Sequence, residues 1–419
     1  MHKMLPLLLT TLLACYRQTE GSYQYLAGHQ IWKLGGKESA LPGQLMADGL
    51  LDILDHSRKL QQVRVAPHHI DRVSELLQKD GISYEILVDD LASHVEGIEN
   101  SERRRRDVSG NHQTCTESHC PEPLTDVYMR FDQMEWYLKQ LNETHYPNVS
   151  LSSIGKSHEN RDIWLLHIKS NKPDARAIWI EGGIHARERI SPAVAFGLIS
   201  KLATGDGAKY NDFDFFLAPM ANPDGYEYTF TGDRMWRKNR RANSHQRSNC
   251  YGVDLNRNWD FKFGVGASNY PCSEVYMGPS PFSEPETKAL KDAMLERNGS
   301  LLMLFSLHSY GQDLLYPWGW TSQEEAENKD ELVRVGQAFA EGAREIHNHD
   351  YDVVNSAGGL YYASGATDDW AYSETSARYA YTLELRDKGE RGFLLTSEAI
   401  KPSIEEVWNG FQKILQNIG

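Results

Sequence analysis

In this chain of 419 residues, basic residues are fewer than acidic ones and cysteines are rare. It has 44 lysines and arginines against 58 acidic residues, a formal net charge of -14, and five cysteines. Because a nucleic-acid partner requires a basic surface, this charge balance argues against nucleic acid as the partner. Long apolar runs are also missing. The run at residues 5–14 is too short to span a bilayer, so we expect no membrane span.

The first 21 residues have the pattern of a secretory signal peptide. His2 and Lys3 precede the apolar run, which predicts a secreted, extracellular protein after removal of residues 1–21. Cys15 also fits a bacterial lipoprotein cleavage box. The glycosylation sequons argue against that alternative, and they begin at Asn142, Asn148 and Asn298.

Removal of the signal leaves an even number of cysteines, namely Cys115, Cys120, Cys250 and Cys272. In an oxidising compartment they predict two disulfides, and sequence alone allows three connectivities. Cys115 and Cys120, with His112 and His119 nearby, could instead hold a second metal ion. Adjacent His119 and Cys120 would not both reach one ion easily, so a small loop disulfide is favoured.

The rest of the chain divides into two patterned regions. Residues 22–100 predict a small α+β unit with strands at 30–34, 62–65 and 82–88 and helices at 46–56 and 70–79. Residues 108–419 alternate strands with helices of roughly 10 to 15 residues. This alternation predicts an α/β domain in which helices cover both faces of one sheet.

A basic run at residues 101–107 separates these two regions. It contains the arginines 103–106. Such a run is typical of an exposed, flexible processing site for a trypsin-like or furin-like protease. The alternative is a solvated linker that is not cleaved.

Residues 178–188 contain the clearest pattern of potential catalytic residues. An apolar, β-branched run predicts a buried strand, Gly182 and Gly183 end it, and His185 and Glu188 follow three residues apart. An imidazole and a carboxylate at the carboxyl end of a strand can be two of the three protein ligands of a catalytic zinc. On spacing alone, a solvated surface pair is the better explanation.

Three further stretches interrupt or end apolar runs at residues 304–310, 252–259 and 381–387. Together with residues 178–188 they resemble the zinc metallocarboxypeptidases of the pancreatic type, most closely the procarboxypeptidase B group. The resemblance extends from about residue 22 onward. It implies the carboxypeptidase fold, with a mixed central sheet flanked by helices on both faces and preceded by a small α+β pro-domain that inhibits the enzyme.

The resemblance also implies the catalytic roles. One Zn²⁺ per chain would be bound by His185, Glu188 and His308, with Glu384 as general base and Arg237 stabilising the charge on the carbonyl oxygen. Each role has a plainer alternative. The histidine at 308 could be a core residue, Glu384 could pair with Arg386, and the run around Arg237 could be a surface patch.

Recognition of a C-terminal residue follows in the same way. Asn256 and Arg257 would hold the free carboxylate, Tyr361 would close over the last residue, and Arg187 would line an outer subsite. Asp368 stands at the pocket floor, where it would favour C-terminal Arg or Lys, as in carboxypeptidase B. The alternatives are an outward-facing Asp368 with A-type or mixed specificity, and a non-catalytic peptide-binding relative.

Two more expectations accompany the resemblance. Cys250 would pair with Cys272, leaving Cys115 for Cys120. Cleavage among the arginines 103–106 would release a monomeric enzyme that acts on peptides or proteins with basic C-termini. The chain also departs from the family pattern, with Arg189 where an aromatic residue is usual and Ala366 where glycine is common.

Overall fold

The computed structural model describes residues 23–36, 39–54, 61–109, 127–144, 148–203, 207–242, 250–359 and 362–418. The predictions for the signal peptide, for the cluster from His112 to Cys120 and for Tyr361 lie outside these residues. Among the helices that are described, none is both long and apolar enough to cross a membrane.

In its described residues, the N-terminal unit combines a small sheet with three α-helices. Its elements are β1 (Gln30–Gly35), α1 (Leu41–Ala47), β2 (Asp52–Ile53), β3 (Gln62–Val65), α2 (Ile70–Lys79), β4 (Ser83–Val88) and α3 (Leu91–Ser109). The four strands lie in the order β2-β3-β1-β4 and pair antiparallel. This is the α+β unit that the sequence predicts.

The predicted helix at residues 46–56 is wrong. The structure has α1 ending at Ala47, and Gly49 then adopts a left-handed φ of 73°. Glycine ends helices in this way because it lacks the Cβ atom that penalises positive φ. The chain can therefore turn, and β2 pairs with β3 where the apolar spacing had indicated helix.

Residues 101–107 are helical, whereas the sequence predicted a linker between the two regions. These residues form the second half of α3, which runs without interruption to Ser109. Glu102 is buried and accepts a hydrogen bond from the backbone N–H of Ser397, and Arg105 pairs with Glu398. Contacts with the second domain therefore fix this part of the helix, while its role as a processing site stays a prediction.

The second unit is built on one large sheet. Its strands are β5 (Val149–Lys156), β6 (Asp162–Ile168), β7 (Arg176–Gly182), β8 (Phe213–Ala218), β9 (Leu301–Ser309), β10 (Asp313–Tyr316), β11 (Asp352–Asn355) and β12 (Tyr379–Leu385). They lie in the order β11-β10-β12-β9-β7-β8-β6-β5. The central strands β12, β9, β7 and β8 pair parallel, whereas β6 and β10 pair antiparallel with their inner neighbours. The predicted mixed sheet is confirmed.

Helices cover both faces of this sheet. They are α4 (Phe131–Glu143), α5 (Ile190–Ala203), α6 (Pro223–Thr231), α7 (Pro285–Leu295), α8 (Lys329–His347), α9 (Ser356–Gly359), α10 (Thr367–Glu374) and α11 (Ile400–Asn417). Buried residues of α5, α8 and α11 form one core against the sheet, and those of α7 and α10 belong to the core of the opposite face. Since β7 and β9 are enclosed on both faces, polar side chains at their carboxyl ends need specific partners.

The N-terminal unit packs against the second domain through an apolar contact. Leu91 and Val95 of α3 lie in one buried cluster with Met235, Tyr310 and Phe393. The disulfide expected between Cys250 and Cys272 is present. The pairing of Cys115 with Cys120 lies outside the described residues.

Candidate metal centre and substrate cleft

The loop after β7 brings His185 and Glu188 together. Gly183 adopts a φ of 69°, and a Cβ atom there would lie 2.9 Å from the sulfur of Met220, so the turn requires glycine. The backbone N–H of Glu188 then donates to the carbonyl of His185, at 3.3 Å, before α5 begins. Both side chains are buried, which excludes the solvated surface pair.

His308 completes a cluster of three potential metal ligands. It lies on β9, the parallel neighbour of β7, and its Nδ1 is 3.1 Å from Nδ1 of His185 and 3.1 Å from Oε2 of Glu188. Oε1 of Glu188 is 2.8 Å from Nδ1 of His185. Three donor atoms of the types that zinc prefers thus converge at a buried point. This donor set fits a zinc ion.

Asp254 orients this cluster, and sequence reasoning assigned it no role. His185 Nε2 donates to Asp254 Oδ1 at 3.1 Å, so that Nδ1 carries the lone pair needed for a metal. Burial opposes ionisation of Asp254, but Arg237 and His185 hold its pKa well below the usual value. Its position directly before the Leu255-Asn256-Arg257 segment, in a stretch already singled out, was the available signal.

Asp254 also fixes Arg237. The guanidinium donates from Nε and Nη2 to Asp254 Oδ2 at 3.1 and 2.9 Å, and Nη1 lies 3.9 Å from Oε1 of Glu188. Arg237 is therefore buried beside the metal ligands and does not belong to a surface patch.

Glu384 lies beside His308 on the neighbouring strand of the sheet. β12 pairs parallel with β9, and Glu384 is the register partner of His308. Burial raises the pKa of Glu384 to about 8, whereas His308 opposes that shift. Arg386 pairs instead with Glu406, at 3.1 Å from Nε to Oε2, so the alternative of a Glu384–Arg386 pair does not hold.

These groups line one cleft, whose space of about 470 Å³ includes open solvent. Its lining includes metal ligands, the candidate base and the candidate carboxylate-binding pair, namely His185, His308, Glu384, Arg237, Asn256 and Arg257. Asn256 is held by its Oδ1, which accepts a hydrogen bond from the backbone N–H of Thr367 at 2.9 Å. This bond ties the Asn256–Arg257 segment to the start of α10.

Asp368 also lines this cleft. Its Oδ2 accepts a hydrogen bond from the Thr382 hydroxyl at 3.0 Å, while Oδ1 accepts from the backbone N–H of Asp369 at 2.9 Å. Asp369 points elsewhere and accepts from the backbone N–H groups of Gly319 and Trp320, at 2.9 and 3.0 Å. Burial and the charge on Asp368 raise the pKa of Asp369 well above its usual value. Of the two carboxylates, Asp368 is the one placed to contact a ligand.

Arg187 lies outside this lining, on the side covered by the N-terminal unit. Its guanidinium pairs with Asp52 of β2, with Nη2 at 3.2 Å from Oδ1, and stacks 4.3 Å from the centre of the Phe393 ring. Sequence reasoning did not single out Asp52, because a carboxylate in a short strand carries no local signal. In this state the N-terminal unit occupies the predicted outer subsite.

Two family descriptions match the chain. "Zinc carboxypeptidase" matches residues 134–410, and "Carboxypeptidase activation peptide" matches residues 44–97. Carboxypeptidase B from Astacus astacus is 39% identical over 293 residues, covering 68% of this chain and 95% of that protein. Carboxypeptidase A2 from Mus musculus is 36% identical over 372 residues, covering 86% of this chain and 85% of that protein.

Solved structures also match the chain over most of its length. Carboxypeptidase A from Helicoverpa armigera matches with a TM-score of 0.83 and 27% identity, over 94% of this chain and 98% of that one. Thrombin activatable fibrinolysis inhibitor matches with a TM-score of 0.77 and 28% identity, over 93% of this chain and 99% of that one. With both its N-terminal and its larger C-terminal region matched, the chain belongs to the zinc carboxypeptidase family and is a zymogen that retains its activation peptide.

Proposed function

We propose that this zymogen is secreted, is activated among the arginines 103–106 by a trypsin-like or furin-like protease, and then removes C-terminal Arg or Lys from peptides. The observation that carries the specificity is the position of Asp368. Its carboxylate lines the same cleft as Arg257 and the metal ligands. A buried carboxylate favours a basic side chain and is left unpaired by an apolar one.

The residues divide the reaction among them. His185, Glu188 and His308 would hold the zinc ion, which would supply Lewis-acid polarisation of the scissile carbonyl and lower the pKa of the attacking water. Glu384 accepts the proton of that water and delivers it to the departing amine. Arg237, fixed by Asp254, donates to the carbonyl oxygen as negative charge develops on it.

Asn256 and Arg257 explain why the proposed activity is restricted to chain ends. The guanidinium of Arg257 can hold a free carboxylate through two hydrogen bonds, a group that an internal peptide bond lacks. Tyr361 is proposed to close over the bound residue. Arg187 is proposed to contact substrate further upstream once Asp52 has left with the activation peptide.

The specificity test compares matched peptides that end in Arg, Lys or Phe. The processed enzyme should hydrolyse the basic peptides with kcat/KM about 100-fold higher than the Phe peptide, since an unpaired buried carboxylate costs several kcal/mol. Asp368→Ile should reverse that order. Peptides amidated at the C-terminus serve as the control and should not be cleaved.

A preference of the parent enzyme for Phe would instead assign A-type specificity, which the names of several relatives make the second candidate. Equal cleavage of amidated and free peptides would refute the role of Arg257.

A further inference from the structure

Arg189 is the one departure from the family pattern that adds a charge beside the metal centre. It directly follows Glu188, and its side chain is 1% exposed. Nε donates to the Thr229 hydroxyl at 3.1 Å, Nη2 donates to the Thr229 carbonyl at 2.8 Å, and the guanidinium lies 3.6 Å from the centre of the Phe230 ring. Groups of the catalytic domain therefore hold this arginine in one orientation.

A carboxylate of the N-terminal unit lies in front of it. Oε1 of Glu99, on α3, accepts from Arg189 Nη1 at 2.7 Å and from Arg234 Nε at 3.1 Å. The Glu99 side chain is 3% exposed and that of Arg234 is 2% exposed. Two buried guanidiniums of the catalytic domain thus share one carboxylate oxygen.

The proposed activation cuts the chain between Glu99 and the catalytic domain. Cleavage anywhere among the arginines 103–106 leaves Glu99 on the N-terminal fragment. Arg189 keeps Thr229 and Phe230, and Arg234 keeps the carbonyls of Arg187 and Phe393. Both donors stay fixed while their anion leaves, and a preorganised pair of cations favours binding of another anion.

The pocket formed by Arg189 and Arg234 around Glu99 lies at the edge of the proposed substrate cleft. Arg234 Nη1 donates to the carbonyl of Arg187 at 3.0 Å, and Arg187 stands between the metal ligands His185 and Glu188 in the chain. The cleft that contains Arg257 and Asp368 does not include Arg187, Arg189 or Arg234 in its lining. The pocket is therefore separate from the site that takes the last residue.

We propose that Arg189, assisted by Arg234, forms a carboxylate-binding subsite that activation uncovers, and that it accepts an acidic side chain of the substrate upstream of the scissile bond. The proposal rests on the proposed carboxypeptidase function and adds a second determinant of specificity. In the zymogen, Glu99 stands where the substrate carboxylate binds.

The test uses processed enzyme and two peptide sets, one ending in Arg and one in Phe. Within each set a single Glu is moved through successive positions upstream of the penultimate residue, with Gln at the same position as reference. At one position, Glu should raise kcat/KM about 10-fold over Gln, the value expected of a charge-assisted hydrogen bond. Raising the ionic strength from low to about 0.5 M should reduce this ratio, since the uncovered pocket is open to salt.

Two arginine variants separate the subsite from general charge effects. Arg189→Met should bring the Glu-to-Gln ratio to about one, and Arg189→Lys should retain part of it. The matched control is Arg240→Met, which removes a guanidinium stacked on Tyr228 at 3.6 Å and outside the pocket. It should leave the ratio intact.

Binding provides a readout that does not need hydrolysis. The same peptides are titrated against processed Glu384→Gln protein, where Glu should again bind about 10-fold more tightly than Gln. A ratio near one at every position, in both binding and hydrolysis, would overturn the subsite. So would equal loss of the ratio in Arg240→Met. Absence of hydrolysis of every peptide would refute the proposed function alone, because binding still reports the subsite.

Discussion

At the scale of single residues, one carboxylate contacts both a candidate metal ligand and the arginine proposed to act in catalysis. Asp254 accepts from the ring of His185 through one oxygen and from the guanidinium of Arg237 through the other. A group in this position sets the tautomer of a metal ligand and the direction of a cation together. Its loss should therefore affect zinc affinity and turnover at the same time.

Asp254→Asn tests this coupling. The amide keeps the size of the side chain but removes the charge that holds Arg237, so kcat/KM should fall by about 10- to 100-fold and the zinc dissociation constant should rise by a similar factor. Enzyme assays and competition with a metal-binding dye measure the two quantities. Asp214→Asn, which alters a carboxylate bonded to the backbone of Ser170, is the control. Unchanged zinc affinity with reduced turnover would show that Asp254 acts through Arg237 alone.

At the scale of elements, α3 places the proposed cleavage site in a helix. Proteases bind an extended chain, so cleavage among the arginines 103–106 requires this part of α3 to open. Contacts of Glu102 and Arg105 with residues 397 and 398 resist that opening. The rate of activation should then depend on the stability of the last turns of the helix.

A proline at position 101 should accelerate activation. Ser101→Pro removes a helical hydrogen bond and costs about 3 kcal/mol in a helix interior, which should speed cleavage by about 10- to 100-fold where local opening limits the rate. Gel electrophoresis after limited trypsin treatment, with N-terminal sequencing of the product, follows the reaction. Ser101→Ala is the matched control. Equal rates for the two variants would mean that the helix does not protect the site.

At the scale of the whole molecule, the metal ligands join parts of the chain that are far apart in sequence. Residues 185 and 188 follow β7, and His308 ends β9, so a bound ion crosslinks the carboxyl ends of two central strands. Because the unfolded chain lacks this site, the free energy of zinc binding adds to the free energy of unfolding.

Removal of zinc should therefore lower both activity and Tm. Dialysis against a chelator should abolish hydrolysis and reduce the Tm of the processed enzyme by about 5 to 10 °C, as expected for an ion present far above its dissociation constant. Calorimetry and assays before and after restoring zinc measure this. His308→Ala should show a much smaller Tm response to the chelator. A Tm that the chelator leaves unchanged in the parent enzyme would contradict a structural contribution of the ion.

Local patterns predicted most of the large sheet and its helices, because alternating apolar runs and turn residues lie close together in sequence. α2 was predicted with its observed bounds. β2 and the end of α1 were not, since a short strand gains its stability from pairing with β3 and not from its own composition. The helical state of residues 101–107 was missed for the same reason. Arginines favour helix intrinsically but repel one another as like charges, and contacts with the second domain fix this part of α3.

The sequence by itself determined the family and predicted the candidate zinc donors and the candidate base, because these depend on residue types in ordered motifs. Only the tertiary structure decided which charges meet. Asp254 beneath His185 and Arg237, Asp52 on Arg187 and Glu99 between Arg189 and Arg234 join residues 17 to 135 positions apart. Such pairs form because burial of a charge is costly without a partner, and chain packing alone determines which partner is within reach.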